Sequence, residues 1–598
     1  MWWCTTLDNL AIARVLGEIA DLLEIKAENP FKIRAYRNAA DAVAHAPDRI
    51  EALDASELRK LPGIGKEIAA KIRELAETGR MQHHQELLAE FPVSLLELLR
   101  LQGVGPKTAA LLYQTLHLST LDELEEAARS GRLRTLRGMG AKKEELILKA
   151  LDERRQHGGR HLLARTRDLA AVLVAHLQPL APDAEFVPVG SLRRGVETCG
   201  DLDILAIGGE RALIRAFTSN PLAERVLGEG DTKGSVLLRG GYQADLRLVP
   251  RESRGAALQY FTGSKAHNIA LRDRAIGRGY KLNEYGLFDL ATGLSVAGES
   301  EEGIYEALGL AWIPPELREN RGEIEAAEAG TLPRLIARSD LRGDLHCHTT
   351  ATDGRDTIEA MAAAARGAGL SYLAIADHTQ SLTMVGGLDE AAVLDHAARI
   401  RAVNAVMEGI EVLAGIECDI RPDGTLDLAG ECLAQLDLVV ASVHSALDMD
   451  REKMTSRVLR ALASPHVDVL AHPTSRLLLR RAPSALDLDA VIDAAAREGV
   501  ALEINSLADR LDLSDLNARL ARSRGAAIVI DSDAHGQAGF EALADGVRVA
   551  RRAWLEAADV LNTLPFEQFR KRLRRNRSSG RPLWSPGPSG SAWRRNRP

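Results

Sequence analysis

Three absences limit what this sequence can be. The chain has five cysteines: Cys4, Cys199, Cys347, Cys418 and Cys432. They form no CxxC pair and no even set for a disulfide framework, which favours a reducing compartment. No run approaches the ~18 apolar residues of a membrane helix, so we expect no membrane partner. The N-terminal MWWCTTLDN lacks a basic stretch followed by an apolar one, so we expect no secretory signal and a cytoplasmic protein.

The length and the uneven charge indicate several domains. A chain of 598 residues with 45% hydrophobic residues predicts three or more packed units. The net charge is −8, but residues 338–567 carry 22 Lys and Arg against 36 Asp and Glu. Residues 570–598 instead carry ten basic residues and no acid, and they are rich in Ser, Gly and Pro. We therefore predict a basic disordered tail at 568–598, which either binds nucleic acid non-specifically or is simply solvated.

Histidines and carboxylates recur at the ends of short apolar runs in the C-terminal half. The runs SYLAIA, VLAGI, LDLVVAS, VDVLA and AAIVI each predict a buried strand. The histidines and carboxylates at or just after such runs are His346, His348, Asp353, His378, Glu417, His444, His472, Asp533 and His535. Residues at successive strand ends of a barrel-like α/β domain converge on one face. Imidazole and carboxylate ligands without thiolate suit zinc, manganese or iron, so the pattern predicts a multinuclear, metal-dependent hydrolase.

A histidine beside a buried strand is more often a core residue than a ligand. Here, however, six of the eight histidines in residues 338–567 belong to these motifs, and only His396 and His466 do not. In the motif HCH, strand alternation points both imidazoles to one face and Cys347 to the other. The nine positions resemble the ligand pattern of the PHP (polymerase and histidinol phosphatase) family, whose trinuclear site hydrolyses phosphoesters. The resemblance implies a distorted (β/α) barrel that holds two or three Mn²⁺, Zn²⁺ or Fe²⁺ ions.

Two N-terminal segments, LPGIGKEIAAKI and LQGVGPKTAALL, repeat an apolar residue, G-h-G and a helix start. Glycine permits a sharp turn and a close approach to a ligand, and the N–H groups of a helix N-terminus can bind a phosphate oxygen. Both segments match the helix-hairpin-helix motif, which contacts the DNA backbone irrespective of sequence. A third copy is LRGMGAKKEELIL. The predicted DNA-binding residues are Gly63, Gly65, Lys66, Gly103, Gly105 and Lys107.

The segment PVGSLRRGVETCGDLDILAI carries two aspartates on one face of a predicted strand. Asp201 and Asp203 repel one another unless a divalent cation lies between them. Asp245 lies in a second strand-like run, QADLRLV, and three carboxylates on neighbouring strands are the minimum for two-metal phosphoryl transfer. Triphosphate donors lie upstream of the pair: Gly190, Ser191 and Arg194. The combination predicts a nucleotidyltransferase.

Together with these motifs, YFTGSKAHNIALR resembles the family X DNA polymerases, the polymerase beta relatives, over about residues 1–330. The metal domain is the one fused to the bacterial members. The resemblance implies that Tyr260, Phe261 and Gly263 bind the dNTP, with the two aromatic residues excluding a ribose 2′-hydroxyl. It also implies that Asn268 bonds to the minor-groove edge of the incoming base and that Arg272 contacts the template. NEYGLFD and EALGLAWIPPELREN are similar to the thumb of the bacterial members.

The resemblance implies a multidomain α/β chain whose parts follow a fixed order. These are a helical, 8-kDa-like helix-hairpin-helix domain at 1–90, a fingers-like second helix-hairpin-helix domain at 91–155, an α+β nucleotidyltransferase palm at 156–255, a nucleotide-selecting thumb-like domain at 256–330, a linker at 331–340, the PHP phosphoesterase at 338–567 and the tail. The acidic stretch RENRGEIEAAEAG predicts a helix that ends before Leu332 and Pro333.

We expect a bifunctional bacterial DNA repair enzyme. Its polymerase fills gaps by adding dNTPs, with Asp201 and Asp203 holding two Mg²⁺ or Mn²⁺ ions and Asp245 binding the ion that activates the primer 3′-hydroxyl. Its PHP domain acts as a 3′-5′ exonuclease, and 3′-phosphatase and abasic-site endonuclease actions stay open. The expected partners are gapped or nicked double-stranded DNA and dNTPs. The expected protein is a monomer associated with the nucleoid.

Excision of a 5′-deoxyribose phosphate is a further candidate activity. Lys71 occupies the position of the lysine that forms a Schiff base in eukaryotic relatives, and Lys32 lies upstream. Glu67, however, stands where those relatives place a lysine that binds the 5′-phosphate, and an acid should repel that phosphate. Lys71 is as well explained as a solvated helix lysine.

Other interpretations of the chain explain less of the sequence or remain open. A PHP nuclease with a polymerase-like module for DNA binding is disfavoured by the intact aspartate triad. A polymerase with a purely structural C-terminal domain is disfavoured by the filled set of nine ligands. A small-molecule phosphatase leaves the helix-hairpin-helix repeats unexplained. A lyase-capable polymerase with abasic-site endonuclease activity remains an alternative.

Overall fold

The structure, a computed structural model, describes residues 9–576 except for these: 27, 45–49, 51–52, 62, 93, 100, 102–103, 137–138, 141–142, 146, 149–150, 152–158 and 239–240. Gly103, Cys4, part of the third glycine motif and residues 577–598 of the predicted tail lie outside the described residues. In chain order, the described part forms a helical region, a five-stranded sheet, a small three-stranded unit and a seven-stranded sheet. This order agrees with the predicted fold class.

The N-terminal region is helical because its apolar residues recur at helical spacing and share one core. The described helices are Asn9–Ile25, Pro30–Ala44, Ala55–Leu58, Lys66–Thr78, Gln82–Glu90, Leu95–Leu98, Pro106–Leu116 and Leu121–Arg129. One buried cluster runs from Ile12 through Ile72 and Leu112 to Ile147. The two helical domains predicted on either side of residue 90 are therefore packed against a common core.

The next unit is a five-stranded sheet flanked by helices Leu163–Leu177, Gly190–Arg193 and Ala212–Thr218. Its strands are β2 (Glu185–Pro188), β4 (Leu202–Ile207), β5 (Ala223–Glu229), β6 (Lys233–Leu238) and β7 (Tyr242–Val249), in the order β2-β4-β7-β6-β5. A separate pair joins β1 (His161–Leu162) to β3 (Thr198–Cys199). Only β4 and β7 are parallel neighbours among these pairings, and they place Asp203 opposite Asp245.

The third unit contains helices Arg254–Thr262, Lys265–Gly277, Glu301–Ala307 and Glu323–Glu328. Its antiparallel strands are β8 (Tyr280–Asn283), β9 (Gly286–Asp289) and β10 (Ser295–Ala297). The helix predicted in the acidic stretch before Leu332 is confirmed. The core of this unit includes Leu271, Tyr305 and Ile313 together with Trp554 from the C-terminal domain.

The C-terminal domain is a nearly closed parallel barrel. Its strands, in both chain and spatial order, are β11 (Gly343–Cys347), β12 (Tyr372–Ile375), β13 (Glu411–Asp419), β14 (Leu438–Ser442), β15 (Val469–Leu470), β16 (Ala501–Asn505) and β17 (Ile528–Asp531). A bridge between Cys347 and Ala534 brings the two edges together. The strands are buried on both faces, as expected of a parallel sheet covered by helices, so they form continuous apolar runs.

Helices follow the barrel strands around the outside. They are Ile358–Gly367, Glu390–Asn404, Gly430–Leu433, Arg451–Leu462, Leu488–Glu498, Asp515–Ser523, Leu543–Arg552 and Phe566–Arg572. All five strands predicted from apolar runs are confirmed. Because the strands are parallel, their carboxyl ends meet at one rim of the barrel, which is where the predicted ligands lie.

The predicted start of the disordered tail at residue 568 is wrong. The helix Phe566–Arg572 continues past this point, and Phe569 and Leu573 are buried in the barrel core. Arg574 donates to the carbonyls of Leu462 and Ser464, and Arg575 lies 2.7 Å from Asp468. Basic composition predicted solvation here, whereas these arginines satisfy carbonyls and a buried carboxylate of the barrel.

The four described cysteines, Cys199, Cys347, Cys418 and Cys432, are buried and unpaired. The Cys347 thiol donates to the Ala374 carbonyl at 3.5 Å, away from the histidines on either side. Burial raises the pKa of this thiol well above its usual range, which does not favour a thiolate ligand. Among the helices that the structure describes, none is both long and apolar enough to cross a membrane.

Candidate active sites

The predicted aspartate triad lies where β4 and β7 run side by side. Asp203 and Asp245 are paired in register, and Asp201 immediately precedes β4. Burial, followed by the charges of Asp201 and Asp245, raises the pKa of Asp203 to about 6. Carboxylates that destabilise one another's charged form fit a divalent cation, because its charge offsets their repulsion. The structure therefore brings the three predicted residues together in a site suited to a metal.

A lysine that the sequence motifs did not reveal reaches into this triad. Lys233 begins β6 opposite Arg247 of β7, and its Nζ lies 2.5 Å from Asp245 Oδ2. Gln243 Nε2 donates to the other oxygen of Asp245 at 3.4 Å. Long side chains can reach a diagonal neighbour across two strands. Only the cross-strand register identifies this contact, because Lys233 lies twelve residues before Asp245 in an unremarkable stretch.

The short helix Gly190–Arg193 presents the predicted triphosphate donors beside the triad. Gly190 has φ +66°, and a Cβ at this position would lie 3.2 Å from Asp203 Oδ2. Glycine is needed here both for the backbone conformation and for the close approach. Ser191 follows and is half-buried. The turn thus brings the Gly190 backbone next to the Asp203 carboxylate.

Arg194 ends this helix and lies between the sheet and the third unit. Its Nε donates to Glu319 Oε1 at 3.0 Å, and its Nη1 donates to the Thr262 carbonyl at 2.5 Å. A Cβ on Gly263 would lie 3.1 Å from the same Nη1. The guanidinium is therefore held in one place by groups from a different unit.

A cavity of about 300 Å³ opens beside Arg194. Its lining residues are Arg194, Tyr260, Phe261, Thr262, Gly263, Lys265, Asn268 and Arg272. The predicted nucleotide-binding and template-binding residues of the third unit thus meet one predicted triphosphate donor. Lys265 was not predicted, although it stands at the start of the helix that carries Asn268. Its ammonium adds a third positive charge to this cavity, beside Arg194 and Arg272.

Internal hydrogen bonds fix the residue predicted to contact the base. Asn268 accepts from Gln259 Nε2 at 2.7 Å and donates to the Tyr260 carbonyl at 2.7 Å. The rings of Tyr260 and Phe261 are edge-to-face with centroids 5.1 Å apart, and the Arg247 guanidinium lies over Phe261 at 4.7 Å. Side chains that are already ordered lose less conformational freedom when a ligand binds.

The first predicted helix-hairpin-helix turn has the geometry that its glycines imply. Gly63 has φ +79°, and a Cβ there would lie 3.0 Å from Asn38 Cβ. Gly65 is the N-cap of helix Lys66–Thr78 and offers no side chain to the first N–H groups. Lys66 is exposed at the helix start. The helix N-terminus therefore presents N–H groups and a positive charge to the outside, which suits a phosphate.

The second turn repeats this arrangement. Gly105 is the N-cap of helix Pro106–Leu116, with extended backbone and proline at the first helical position. Lys107 is exposed in the first turn. Gly103, the first glycine of the motif, lies outside the described residues.

Lys71, the candidate lyase residue, is engaged by its neighbours. Its Nζ donates to Tyr36 Oη at 2.6 Å and to Glu67 Oε1 at 2.8 Å. Burial lowers the pKa of Lys71, but the bonds to Glu67 and Tyr36 outweigh burial and raise it above its usual value. A Schiff base requires the neutral amine. The surroundings therefore keep this amine protonated and do not favour lyase chemistry.

All nine predicted metal ligands meet at the carboxyl rim of the barrel. Their potential ligand atoms form three groups in which all atoms lie within 4.8 Å: His348, Asp353, His378 and His535; His346, His348 and Asp533; and His378, Glu417 and His444. His472 joins them because its Nε2 lies 3.1 Å from Glu417 Oε1. Two histidines are shared between groups, which suits a centre of several ions rather than one.

Unpaired buried nitrogens support a metal at this centre. Within the described chain, His346 Nε2 and His348 Nδ1 are buried and make no hydrogen bond. They lie 3.4 Å from Glu417 Oε2 and 3.7 Å from Asp353 Oδ1, respectively. Buried polar atoms are rarely left without partners. A cation between these nitrogens and carboxylates would satisfy both, so the residues present fit the expected metals.

The charges at the rim are arranged to hold cations. Burial lowers the pKa of His378, but Glu417 and Asp353 outweigh burial and raise it to about 10. Burial likewise lowers the pKa of His444, and Glu417 and Asp419 raise it to about 9. Each histidine thus binds a proton tightly where a metal ion would otherwise stand. Binding of metal would release those protons.

A second set of residues orients the ligands and was missed by the sequence analysis. His346 Nδ1 lies 2.7 Å from Glu503 Oε1, and Asn505 Nδ2 donates to Asp533 Oδ2 at 2.9 Å. Glu503 and Asn505 alternate along β16, so they face the same side. Two polar residues at this spacing in the otherwise apolar run ALEIN were the available signal.

Two further aspartates support the ligand loops. Asp419 Oδ1 lies 3.3 Å from His444 Nδ1. Asp377 accepts from the Thr349 backbone and lies 2.8 Å from His396 Nε2. His396 is thus a partner of a supporting aspartate, in keeping with its exclusion from the predicted ligands. Such partners fix the orientation of metal-binding imidazoles.

Five protein-family profiles match the chain. They are a helix-hairpin-helix domain at residues 7–81, a SAM-like helix-hairpin-helix tandem at 95–153, a DNA polymerase beta palm at 164–230, a DNA polymerase beta thumb at 257–319 and a PHP domain at 344–507. They follow one another in this order along the chain.

Curated relatives match either nearly the whole chain or only a part of it. A protein of Bacillus subtilis (strain 168) named DNA polymerase/3′-5′ exonuclease PolX is 37% identical over 568 residues, covering 94% of this chain and 99% of the relative. DNA polymerase lambda of Arabidopsis thaliana is 26% identical over 52% of this chain and 62% of its own length. A probable phosphatase of Shewanella sediminis (strain HAW-EB3) is 29% identical over 37% of this chain and 89% of its own length.

Proposed function

Because the chain belongs to the bacterial family X DNA polymerases that carry a C-terminal PHP domain, we propose an assignment of residues to its two active sites. The protein is a DNA polymerase and a 3′-5′ exonuclease. The observation that carries the assignment is that one chain holds both a complete carboxylate triad on adjacent strands and a complete nine-residue metal centre. The N-terminal half therefore extends DNA, and the PHP domain removes 3′-terminal nucleotides.

In the palm, Asp201 and Asp203 would hold two divalent cations, and Asp245 would hold the one nearer the primer. These cations, proposed to be Mg²⁺ or Mn²⁺, supply the positive charge that stabilises in-line phosphoryl transfer. The primer 3′-oxygen forms a bond to the α-phosphorus, and the bond from that phosphorus to the pyrophosphate oxygen breaks. Lys233 must leave Asp245 for this site to form, because its ammonium lies on the same carboxylate.

The neighbouring helix and cavity bind the incoming nucleotide. The Gly190 turn and Ser191 donate to the phosphates, and the Arg194 guanidinium neutralises the charge that develops on pyrophosphate. Tyr260, Phe261 and Gly263 line the cavity where the sugar lies. The aromatic pair leaves little room for a 2′-hydroxyl, so dNTPs are selected over ribonucleotides.

The remaining cavity residues and the glycine turns hold the DNA. Asn268 contacts the minor-groove edge of the new base, and Arg272, which is exposed, contacts the template. Gly63, Gly65 and Lys66 bind one backbone phosphate through helix N–H groups, and Gly103, Gly105 and Lys107 bind another. The partner is gapped or nicked double-stranded DNA. Filling such gaps is a repair reaction.

In the PHP domain, the nine clustered residues would hold two or three Mn²⁺, Zn²⁺ or Fe²⁺ ions. Such ions supply Lewis acidity to a phosphodiester and lower the pKa of a water molecule. Glu503 holds the His346 imidazole, and Asn505 holds the Asp533 carboxylate, so that both face the centre. The product is a DNA end shortened at its 3′ side.

The domain borders proposed are those of the sequence analysis, except that the PHP domain extends to residue 576 because Phe569 and Leu573 belong to its core. We further propose a monomeric, cytoplasmic enzyme. The lyase activity is not part of the proposal, because Glu67 and Tyr36 keep Lys71 protonated.

A gel assay on a 5′-phosphorylated one-nucleotide gap with a labelled primer tests the proposal. In Mn²⁺, the wild-type protein should extend the primer by one nucleotide with dNTPs and shorten it without them. The Asp203→Ala variant should shorten but not extend, with DNA binding retained. Shortening by the wild-type protein with no extension would mean that the polymerase half only delivers DNA, and the proposal would be wrong.

A further inference from the structure

One helix of the PHP domain, Leu543–Arg552, lies against both the palm and the thumb-like unit. Arg167 of the palm donates to Asp545 at 2.5 Å, and Arg551 donates to Glu316 of the thumb-like unit at 2.7 Å. Arg552, at the end of the helix, reaches furthest toward the polymerase site. The PHP domain is therefore joined to the polymerase units by direct contacts and not only by a linker.

Arg552 contacts Arg194 both directly and through a shared carboxylate. Its Nη1 donates to the Arg194 carbonyl at 3.0 Å and to Glu319 Oε1 at 2.8 Å. Arg194 Nε donates to that same oxygen at 3.0 Å. The other nitrogen, Nη2, lies 3.0 Å from Asp515 Oδ2 within the PHP domain. The side chains of Arg552, Glu319 and Arg194 are only 6%, 10% and 14% exposed.

Glu319, the carboxylate that the two arginines share, stays ionised and needs positively charged partners. Burial raises the pKa of Glu319, but Arg552 and Arg194 outweigh burial and lower it to about 2. A buried charge that loses one partner is left poorly compensated, because water cannot replace the lost interaction. Without Arg552, Glu319 would be balanced by Arg194 and Arg321 alone, so more of its charge would fall on Arg194. The same guanidinium would then be less available to a triphosphate.

We propose that Arg552 of the PHP domain is a positioning residue for the polymerase reaction. By sharing Glu319 and bonding to the Arg194 carbonyl, it keeps the Arg194 guanidinium in place and free to bind the triphosphate of the incoming nucleotide. The proposal rests on the proposed role of Arg194 as a triphosphate donor. It makes nucleotide affinity depend on a residue of the nuclease domain that is not among the metal ligands.

Steady-state gap filling by the full chain tests this role through separate KM and kcat values for dNTP. Arg552→Met should raise KM by about tenfold, within the usual range of coupling between sites, with kcat changed less than about twofold. The exonuclease rate should stay at the wild-type level. Arg552→Lys should restore part of the KM, because it keeps the charge but not the forked contacts. Arg551→Met is the matched control, since it removes a neighbouring contact that does not involve Glu319 or Arg194.

A second substitution separates positioning from loss of structure. Glu319→Gln added to Arg552→Met removes the charge that captures Arg194, so KM should return toward the wild-type value. A melting temperature and the exonuclease rate report whether each variant is folded. If Arg552→Met does not fold, the comparison of Arg552→Lys with Arg552→Lys/Glu319→Gln gives the same test, and an unrescued KM overturns the proposal.

The outcomes distinguish this inference from the assignment beneath it. If Arg194→Met leaves the dNTP KM unchanged, the proposed role of Arg194 is wrong and the inference falls with it. If Arg194→Met raises KM but folded Arg552→Met does not, only the inference is wrong. If Arg552→Met raises the dNTP KM and also lowers kcat and the exonuclease rate, and Glu319→Gln does not rescue these values, Arg552 has a purely structural role and the inference is wrong.

Discussion

In the PHP domain, nine side chains meet at the rim of one nearly closed barrel, whereas in the palm the aspartate triad lies beside a lysine. Eight of the nine residues offer ligand atoms that lie within 4.8 Å of one another in three overlapping groups, and His472 lies beside Glu417. In the palm, Asp201 is exposed and Asp245 is paired with Lys233. Among the described residues, each such compact group belongs to the PHP domain. One site is already compact in the protein alone, and the other is not.

The difference follows from how each site is held. The barrel rim is buried, and Glu503, Asn505, Asp419 and Asp377 orient its ligands from behind. The palm site lies between units, and its Arg194 is placed by Glu319 and Thr262 from the thumb-like unit. A polymerase that must release and rebind DNA and nucleotides at each step is served by such an open arrangement. A hydrolytic centre is better served by a fixed one.

The largest effect is expected on primer extension, from a substitution in the carboxylate triad of the palm. Asp203→Ala removes the carboxylate at the centre of the triad and should lower extension by about 10²- to 10⁴-fold, equivalent to several kcal/mol of lost charge stabilisation. Primer-extension rates on gapped DNA measure the loss. Asp231→Ala, an exposed aspartate on the same unit, is the control. Extension within tenfold of the wild-type rate would show that the triad is misassigned.

A comparable loss of exonuclease activity is expected from substitutions in the PHP centre. His346→Ala combined with His348→Ala removes ligands from two of the three groups and should abolish shortening of the 3′ end, while extension stays at the wild-type rate. Exonuclease and extension rates are measured on the same labelled primer. Shortening that survives would place the nuclease elsewhere in the chain.

A smaller loss of exonuclease activity is expected when a residue that orients a metal ligand is replaced instead of the ligand itself. Glu503→Gln keeps the shape but weakens the bond to His346, and such changes usually cost about 10- to 100-fold in metal affinity or activity. Added Mn²⁺ should restore much of the exonuclease rate in this variant but not in the histidine double variant. A Glu503→Gln rate equal to that of the wild-type protein at low Mn²⁺ would contradict a rigidly supported centre.

The smallest expected effect is on the thermal stability of the polymerase half at acid pH. Burial raises the pKa of Glu301, but Arg193 and Arg318 outweigh burial and lower it to about 2. The stabilisation is therefore complete above the unfolded value of about 4.5 and is lost as pH falls from there toward 2. The melting temperature of Glu301→Gln should lie below that of the wild-type protein at pH 6, and the gap should narrow below pH 4.5. Glu302→Gln, its exposed neighbour, should track the wild-type curve; a gap that does not change with pH would contradict the assignment.

The sequence predicted the parts of both sites that are local to one strand or turn. The nine PHP ligands follow apolar runs, and the DxD pair and glycine turns are contiguous motifs. Lys233 and Glu503 were not predicted, because strand register in the sheet decides what they touch. Arg552 contacts Arg194 from 358 residues away, and no local pattern encodes such a pair. The predicted border of the tail was wrong for a related reason, since Phe569 stacks on Tyr372 of β12, which lies far back in the chain.

The central claim is that the PHP centre exists in the protein alone and does not depend on the palm. Metal content per chain after gel filtration without DNA tests this most directly. We expect two or three transition-metal ions to remain bound in the wild-type protein and in Asp201→Ala/Asp203→Ala, and to be lost in His346→Ala/His348→Ala. A chain that retains metal only when DNA is present, or that loses it with the palm substitutions, would contradict the account.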